Sequence, residues 1–287
     1  MLAASVEAHL SDPARVLRSA PRSLMAFHID HLITLTRDRE GARALLTRMG
    51  FDLTERGEHP GRGTSNHLAF FGRCYWELLA VDSPTPENAA LRERGSGLAG
   101  CALRTSGTQR DAEQARNLGL EAGEPENFTR PVQVEGEWKT ARFRIAVLQP
   151  VAPVDAYLFF CQHLTPELVW PREPRDHPNG AFRIHAVQIV GPSADEARRG
   201  FEPLLGVGGG VEPAITYDSA RSYRERFGDA ALPAAGFRPR LASLELKVRD
   251  LDRCEAWLSQ QGMSFHRYGK AIRCYAELIG HTIVFSA

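Results

Sequence analysis

Residues 27–36, FHIDHLITLT, run apolar and β-branched into a charged turn, which is the pattern of a strand. Residues 38–50, DREGARALLTRMG, place Ala42, Leu45 and Met49 at helical spacing, with Asp38 as a cap and Gly50 as a stop. FDLTERG predicts a short strand, and GEHPGRGT a loop. NHLAFFG and CYWELLAV predict two further strands split by a turn at Gly72-Arg73. The order is strand, helix, strand, strand, strand.

The same order returns near the C-terminus. PRLASLELKV predicts a strand, RDLDRCEAWLSQQG a helix closed by Gly262, and MSFHRYG, KAIRCYAELIG and HTIVFSA three strands. HLITLTRDREGARALLTRMGFDLTERG and LELKVRDLDRCEAWLSQQGMSFHRYG match in register, which marks an internal repeat. Two degenerate copies lie between them. GLAGCALRTSGTQRDAEQARNLGLEAG reads as strand, helix and glycine, with TARFRIAVLQP and VDAYLFFCQH following as strands. FRIHAVQIVGPSADEARRGFEPLLGVG opens the other copy, with Ser193 as a helix cap and VEPAITYDSARSYRERFG behind it. The Pro-rich stretch 163–182 separates the second unit from the third. The expected organisation is a loose extension over 1–25, one module pair over 26–170 and a second over 171–287.

Composition narrows the function. The 287 residues carry 35 basic and 35 acidic side chains, so no basic footprint for nucleic acid exists. No apolar run approaches the ~20 residues of a membrane span. Five cysteines without a CxxC pair argue against a disulfide framework or a thiolate zinc site, and suggest reduced thiols in a cytoplasmic protein. GVGGGVE, residues 206–212, lacks the lysine and threonine of a phosphate loop and reads as a turn. No GxSxG motif occurs, which argues against a common serine hydrolase.

Four units of βαβββ order, together with HIDHLIT, HPGRGTSNHLAFFG, YWELLAV and FFCQHLTPELVW, resemble the vicinal oxygen chelate superfamily of glyoxalase I and the extradiol dioxygenases, in its glyoxalase-like domain subgroup. The resemblance covers about residues 26–287. It implies an α+β fold in which four βαβββ modules pair into two cupped mixed β-sheets. It also implies a divalent metal (Zn, Fe, Mn or Ni) in a cup, held by side chains from the first and last strands of each unit.

On that resemblance His31 and Glu77 are the metal ligands of unit one. In unit two the first strand offers Cys101, and the last offers Gln162 or His163, with His163 the better ligand. Neighbours on a strand face opposite sides, so both reach the cup only across a bulge. Glu77 is also the candidate general base. Asn66 is the substrate contact the resemblance favours over its neighbour His67. Arg62, in the loop with His59, suits an acidic substrate, and Trp76 and Gln162 complete the candidate substrate contacts. The second pair aligns His185 with His31, but Ser243 and Val284 cannot complete a site there.

The leading expectation is a metal-dependent enzyme on a small oxygenated molecule, through isomerase, lyase or dioxygenase chemistry. The alternative is a metal-free protein of the same fold that binds or sequesters a small molecule, with Phe70, Phe71, Trp76, Phe159 and Phe160 around an apolar pocket. A monomer and a homodimer suit the sequence equally.

Overall fold

The computed structural model describes residues 27–117, 119–149, 154–173, 175–205, 213–228, 232 and 237–287. The N-terminal extension and the glycine-rich stretch 206–212 lie outside the described residues.

Unit one runs β1 (Ile29–Thr36), α1 (Arg39–Arg48), β2 (Gly57–His59), β3 (Thr64–Phe71) and β4 (Cys74–Val81). Asp38 caps α1 as expected, its carboxylate accepting from the Gly41 N–H at 2.9 Å. After a short helix α2 (Ala89–Arg92), unit two follows: β5 (Gly97–Arg104), α3 (Thr108–Asn117), β6 (Glu121–Ala122), β7 (Glu126–Val134), β8 (Glu137–Gln149) and β9 (Tyr157–His163). β7 and β8 form a hairpin whose turn residues Glu135 and Gly136 have φ of 54° and 83°, the mirror-image turn that suits strand twist.

These strands make one nine-stranded sheet in the order β2-β3-β4-β1-β5-β9-β8-β6, with β7 paired to β8. β1 runs parallel to β4 and antiparallel to β5, and so sits at the junction of the two units. The sheet curls until β7 contacts β2, and its concave side forms a cup.

The second sheet holds β10 (Ala181–Gly191), β11 (Ala214–Ser219), β12 (Arg240–Val248), β13 (His266–Tyr268), β14 (Ala271–Ala276) and β15 (His281–Ser286), in the order β11-β10-β12-β15-β14-β13. Unit four has the full order, with α6 (Leu251–Gln260) after β12. Unit three departs from it. After β10 and α4 (Ala194–Leu205), β11 pairs parallel to β10, and the chain then enters α5 (Ala220–Phe227) where two more strands were expected. Ser219 caps that helix by accepting from the Ser222 N–H at 3.1 Å, and Tyr223 is its fully buried anchor.

One apolar cluster joins the two sheets. It includes Leu32, Trp76, Leu78 and Phe160 from the first and Val187, Leu244, Ile283 and Phe285 from the second. A separate cluster lines the first cup, with Ile33, Leu79, Ala102, Phe143 and Phe159 among its members. No helix of the described residues is long and apolar enough to cross a membrane.

Candidate functional site

Strand alternation decides which side chains reach the cup. On β1, His31 and Ile33 face it while Leu32 points to the joint core. On β4, Tyr75, Glu77 and Leu79 face it; on β9, Tyr157, Phe159 and Cys161 do. The hairpin supplies Phe128, Arg130, Phe143 and Ile145. Together they enclose about 100 Å³, room for several waters or one small organic molecule.

Glu77 is buried at 7% exposure. Its Oε1 accepts a 2.6 Å hydrogen bond from Asn66 Nδ2. Its Oε2 lies 3.6 Å from His31 Nε2, and no donor among the described residues reaches it within hydrogen-bond distance. His31 donates from Nδ1 to Asp30 at 2.9 Å, which leaves Nε2 as the free nitrogen beside Glu77 when the ring is neutral. Tyr75 stacks on the His31 ring, with centroids 4.4 Å apart, and holds its orientation.

His59 flanks Glu77 from the loop side, its Nε2 4.0 Å from the carboxylate and its Nδ1 2.8 Å from Thr64 Oγ1. Burial pushes its pKa down to about 4 against the pull of the Glu77 charge, and the Arg130 and Arg62 guanidiniums add to the depression. His59 is therefore neutral at pH 7.

Two arginines reach the cup. Arg62 is ion-paired to Glu126 at 2.8 Å and lies over the Phe128 ring at 4.9 Å. Arg130 is buried at 8% exposure and lies 5.8 Å from the Phe143 centroid. It makes no ion pair among the described residues.

The structure thus brings His31, Asn66, Arg62 and Glu77 to one cup and keeps the other candidates apart from it. Trp76 neighbours Glu77 on a strand, so it faces the opposite side: it is 1% exposed in the joint core and donates to Thr34 Oγ1 at 2.8 Å. Gln162 also faces away from the cup. Its Oε1 accepts from the Thr108 N–H and hydroxyl at 3.3 and 3.2 Å, capping α3. His163 shares a strand face with Cys161 but sits beyond the cup, donating from Nε2 to Asp30 at 3.0 Å. Cys101 points into the joint core, because irregular pairing of β1 with β5 sets Ala102, not Cys101, opposite His31. Among the pocket aromatics Phe70 packs with Leu68 and Tyr75, while Phe71 and Phe160 belong to the joint core. Of the Asn66–His67 pair, Asn66 takes the cup, and His67 bonds to the Thr54 carbonyl at 2.8 Å.

Arg130 escaped the sequence reading because Pro131 and the outward charges of ENFTRPVQV hide a strand. Its signal was the alternation of Phe128, Arg130 and Val132, which share the buried face.

A three-donor metal set can be tested against these residues. Asp30, Cys161 and His163 each bring one donor atom within 4.8 Å of the others, a candidate ligand group. Their chemistry fits a cation poorly. Asp30 also accepts from His31 and from Arg104 Nε at 3.0 Å. Burial opposes its charge, yet the His163 and His31 hydrogen bonds outweigh it and hold the carboxyl well below the usual range. Burial pushes the Cys161 thiol up, so a cation there would have to displace its proton. In the cup itself unit one supplies His31, Glu77 and His59, unit two adds Cys161 among its mostly apolar and aromatic lining, and among the described residues no three of these donors converge. The set falls short of the three protein ligands usual for a catalytic ion. Among the described residues the second half brings no three donors together.

The family model for a glyoxalase-like domain matches residues 29–205. Among curated protein sequences, none matches this one. A hypothetical protein from Staphylococcus aureus superposes with a TM-score of 0.61 at 12% identity, over 90% of this chain and 98% of that one. A mutant 4-hydroxymandelate synthase from Streptomyces coelicolor gives 0.59 at 13% identity, over 91% and 92%. A xylose isomerase-like TIM barrel/4-hydroxyphenylpyruvate dioxygenase fusion protein gives 0.53 at 12%, over 93% of this chain and 50% of that one. At such identities these neighbours speak to fold alone. The paired modules, the curled sheet and the family match have one conclusion: the chain belongs to the glyoxalase-like domain family.

Proposed function

We propose that the first cup is the active site of an enzyme that moves a proton on a small oxygenated organic molecule, with Glu77 as the base. One observation carries the reading. Glu77 is buried in an apolar-walled cavity with one oxygen held by Asn66 and the other turned, uncommitted, toward the space beside His31. A carboxylate so held takes a proton from a carbon or hydroxyl next to a carbonyl and returns it, with no net oxidation. Asn66 fixes the carboxylate in place. His31 shares the proton, and Asp30 balances the charge on its ring. The aromatic walls exclude water from the intermediate.

The test is hydrogen–deuterium exchange in D2O, followed by NMR at carbons next to the carbonyl of small ketones and 2-oxo acids. Glu77→Gln is expected to slow exchange by roughly 10²- to 10⁴-fold. Ligands that bind the cup without any exchange would overturn proton transfer and leave sequestration as the role.

A second reading rests on His31, whose Asp30 bond presents Nε2 as such bonds do in metal centres. His31 and Glu77 would hold a divalent zinc, iron, manganese or nickel ion only with water or substrate oxygens in place of the protein ligands the cup lacks, and such an ion would supply Lewis-acid polarisation of those oxygens. Exchange that survives chelation supports the first reading. Exchange lost to a chelator and restored by one metal supports the second.

A further inference from the structure

Arg130 stands out among the buried charges of this protein. A guanidinium at 8% exposure ordinarily has a carboxylate partner, because burying a lone charge is costly. Asp30 and Asp111, similarly buried, have theirs: Arg104 for the first and Arg110 for the second. Arg62, across the same cup, is already neutralised by Glu126. Arg130 makes no hydrogen bond or ion pair to any described residue, and it lines the cavity.

The backbone is cut away to let it do so. A Cβ on Gly57 would lie 2.8 Å from Arg130 Nη1 and 2.4 Å from Asn66 Oδ1, so any other residue there would make the ends of both side chains shift. Asn66 Oδ1 is itself buried without a partner. Around these polar groups stand Tyr75, Phe128, Phe143, Tyr157 and Phe159.

We infer that Arg130 makes the cup a receptor for small organic monocarboxylates with an apolar or aromatic body, the carboxylate seated on Arg130. This rests on the reading of the first cup as the ligand site and names its substrate class. Arg130 offers one guanidinium without an ion-pair partner among the described residues, and Glu77 in the same cavity repels added negative charge, so a single carboxylate is favoured over a dianion. A carboxylate brings a single charge in a planar shape that the guanidinium fork matches, whereas a phosphate monoester brings roughly −1.5 to −2. The cavity of about 100 Å³ sets the size.

The test is calorimetric titration of the full chain with a panel of short aliphatic and aryl monocarboxylates. Each is paired with its own amide, and the aryl members also with phenyl phosphate. The wild type is expected to bind at least one carboxylate with a millimolar or better Kd, at least tenfold tighter than its amide or the phosphate. Arg130→Gln is expected to lose roughly 10- to 100-fold for the carboxylate and nothing for the amide, with Arg130→Lys between. Equal binding of acid and amide by the wild type overturns the inference and needs no variant. So does a panel in which no carboxylate binds, or a folded Arg130→Gln that binds as the wild type does. In the wild type, acid selectivity without any exchange counts against proton transfer alone, and exchange without acid selectivity counts against this inference alone.

Discussion

Thr34→Val should weaken the protein far more than the exchange of one hydroxyl for one methyl suggests. The Thr34 hydroxyl is fully buried where the two sheets meet. It accepts from Trp76 Nε1 at 2.8 Å and lies 2.9 Å from His281 Nε2. Burial pushes His281 down to about 4, so the ring is neutral at pH 7. With its Nδ1–H directed to the Thr282 carbonyl at 3.3 Å, Nε2 accepts the Thr34 proton. One oxygen thus satisfies a tryptophan and a histidine that are each 1% exposed. Valine has the same shape and leaves both unsatisfied. At about 1–3 kcal/mol for each orphaned group the loss is about 2–6 kcal/mol. That corresponds to a fall in Tm of roughly 5–20 °C for a chain of this size. Calorimetry and urea unfolding at pH 7.5 measure it, with Thr34→Ser as the control that keeps the hydroxyl. A Val loss below about 1 kcal/mol, or equal losses for Val and Ser, would refute the shared-oxygen account.

Three further outcomes follow from the same geometry. His59 and His281 both have folded pKa values of about 4, below the unfolded value of 6.5. Unfolding therefore takes up protons below pH 6.5. Their contribution is complete above that pH and is lost as pH falls toward 4, by up to about 3 kcal/mol each. Melting curves across that range check it, and His281→Gln should flatten the acid limb. Gln162→Leu uncaps α3 and should cost about 1–2 kcal/mol in urea unfolding, with cup ligand affinity unchanged. Gly57→Ala should push Asn66 and Arg130 out of position, so titration should register weaker carboxylate binding and NMR slower exchange.

The outer repeats were legible because their apolar periods switch cleanly between strand and helix. Asp38 capping α1 and the β3–β4 hairpin at Gly72 follow directly from such signals. The third unit was not legible to the same depth. YDSARSYRERF carries polar residues that suit either an edge strand or a helix, and the burial of Tyr223 against β12 decides for the helix. The candidate site was legible residue by residue but not as a set. Trp76 and Glu77 are adjacent, so a strand cannot aim both at one cavity, and only the sheet's packing says which faces the core. The register slip between β1 and β5 moves Cys101 away in the same manner. Arg130 needed the tertiary structure, since nothing local says that a hairpin from the second unit will close over the first.

The place of β1 in the sheet bears on how the protein is made. Its neighbours are β4, from its own unit, and β5, from the next. Each pairing closes a loop of tens of residues, and the chain entropy of closing them is lost before the contacts form. Glu77 and His31 come from unit one, and Arg130 from the last hairpin before β9. The cavity therefore has no partial form on the emerging chain. A nascent polypeptide that stops after β4 carries the base and none of the enclosure, with the edge of β1 unpaired and open to association with another strand. Binding competence should arrive in one late step, when β9 slots in beside β5, and expression yield should depend on how quickly that step follows synthesis.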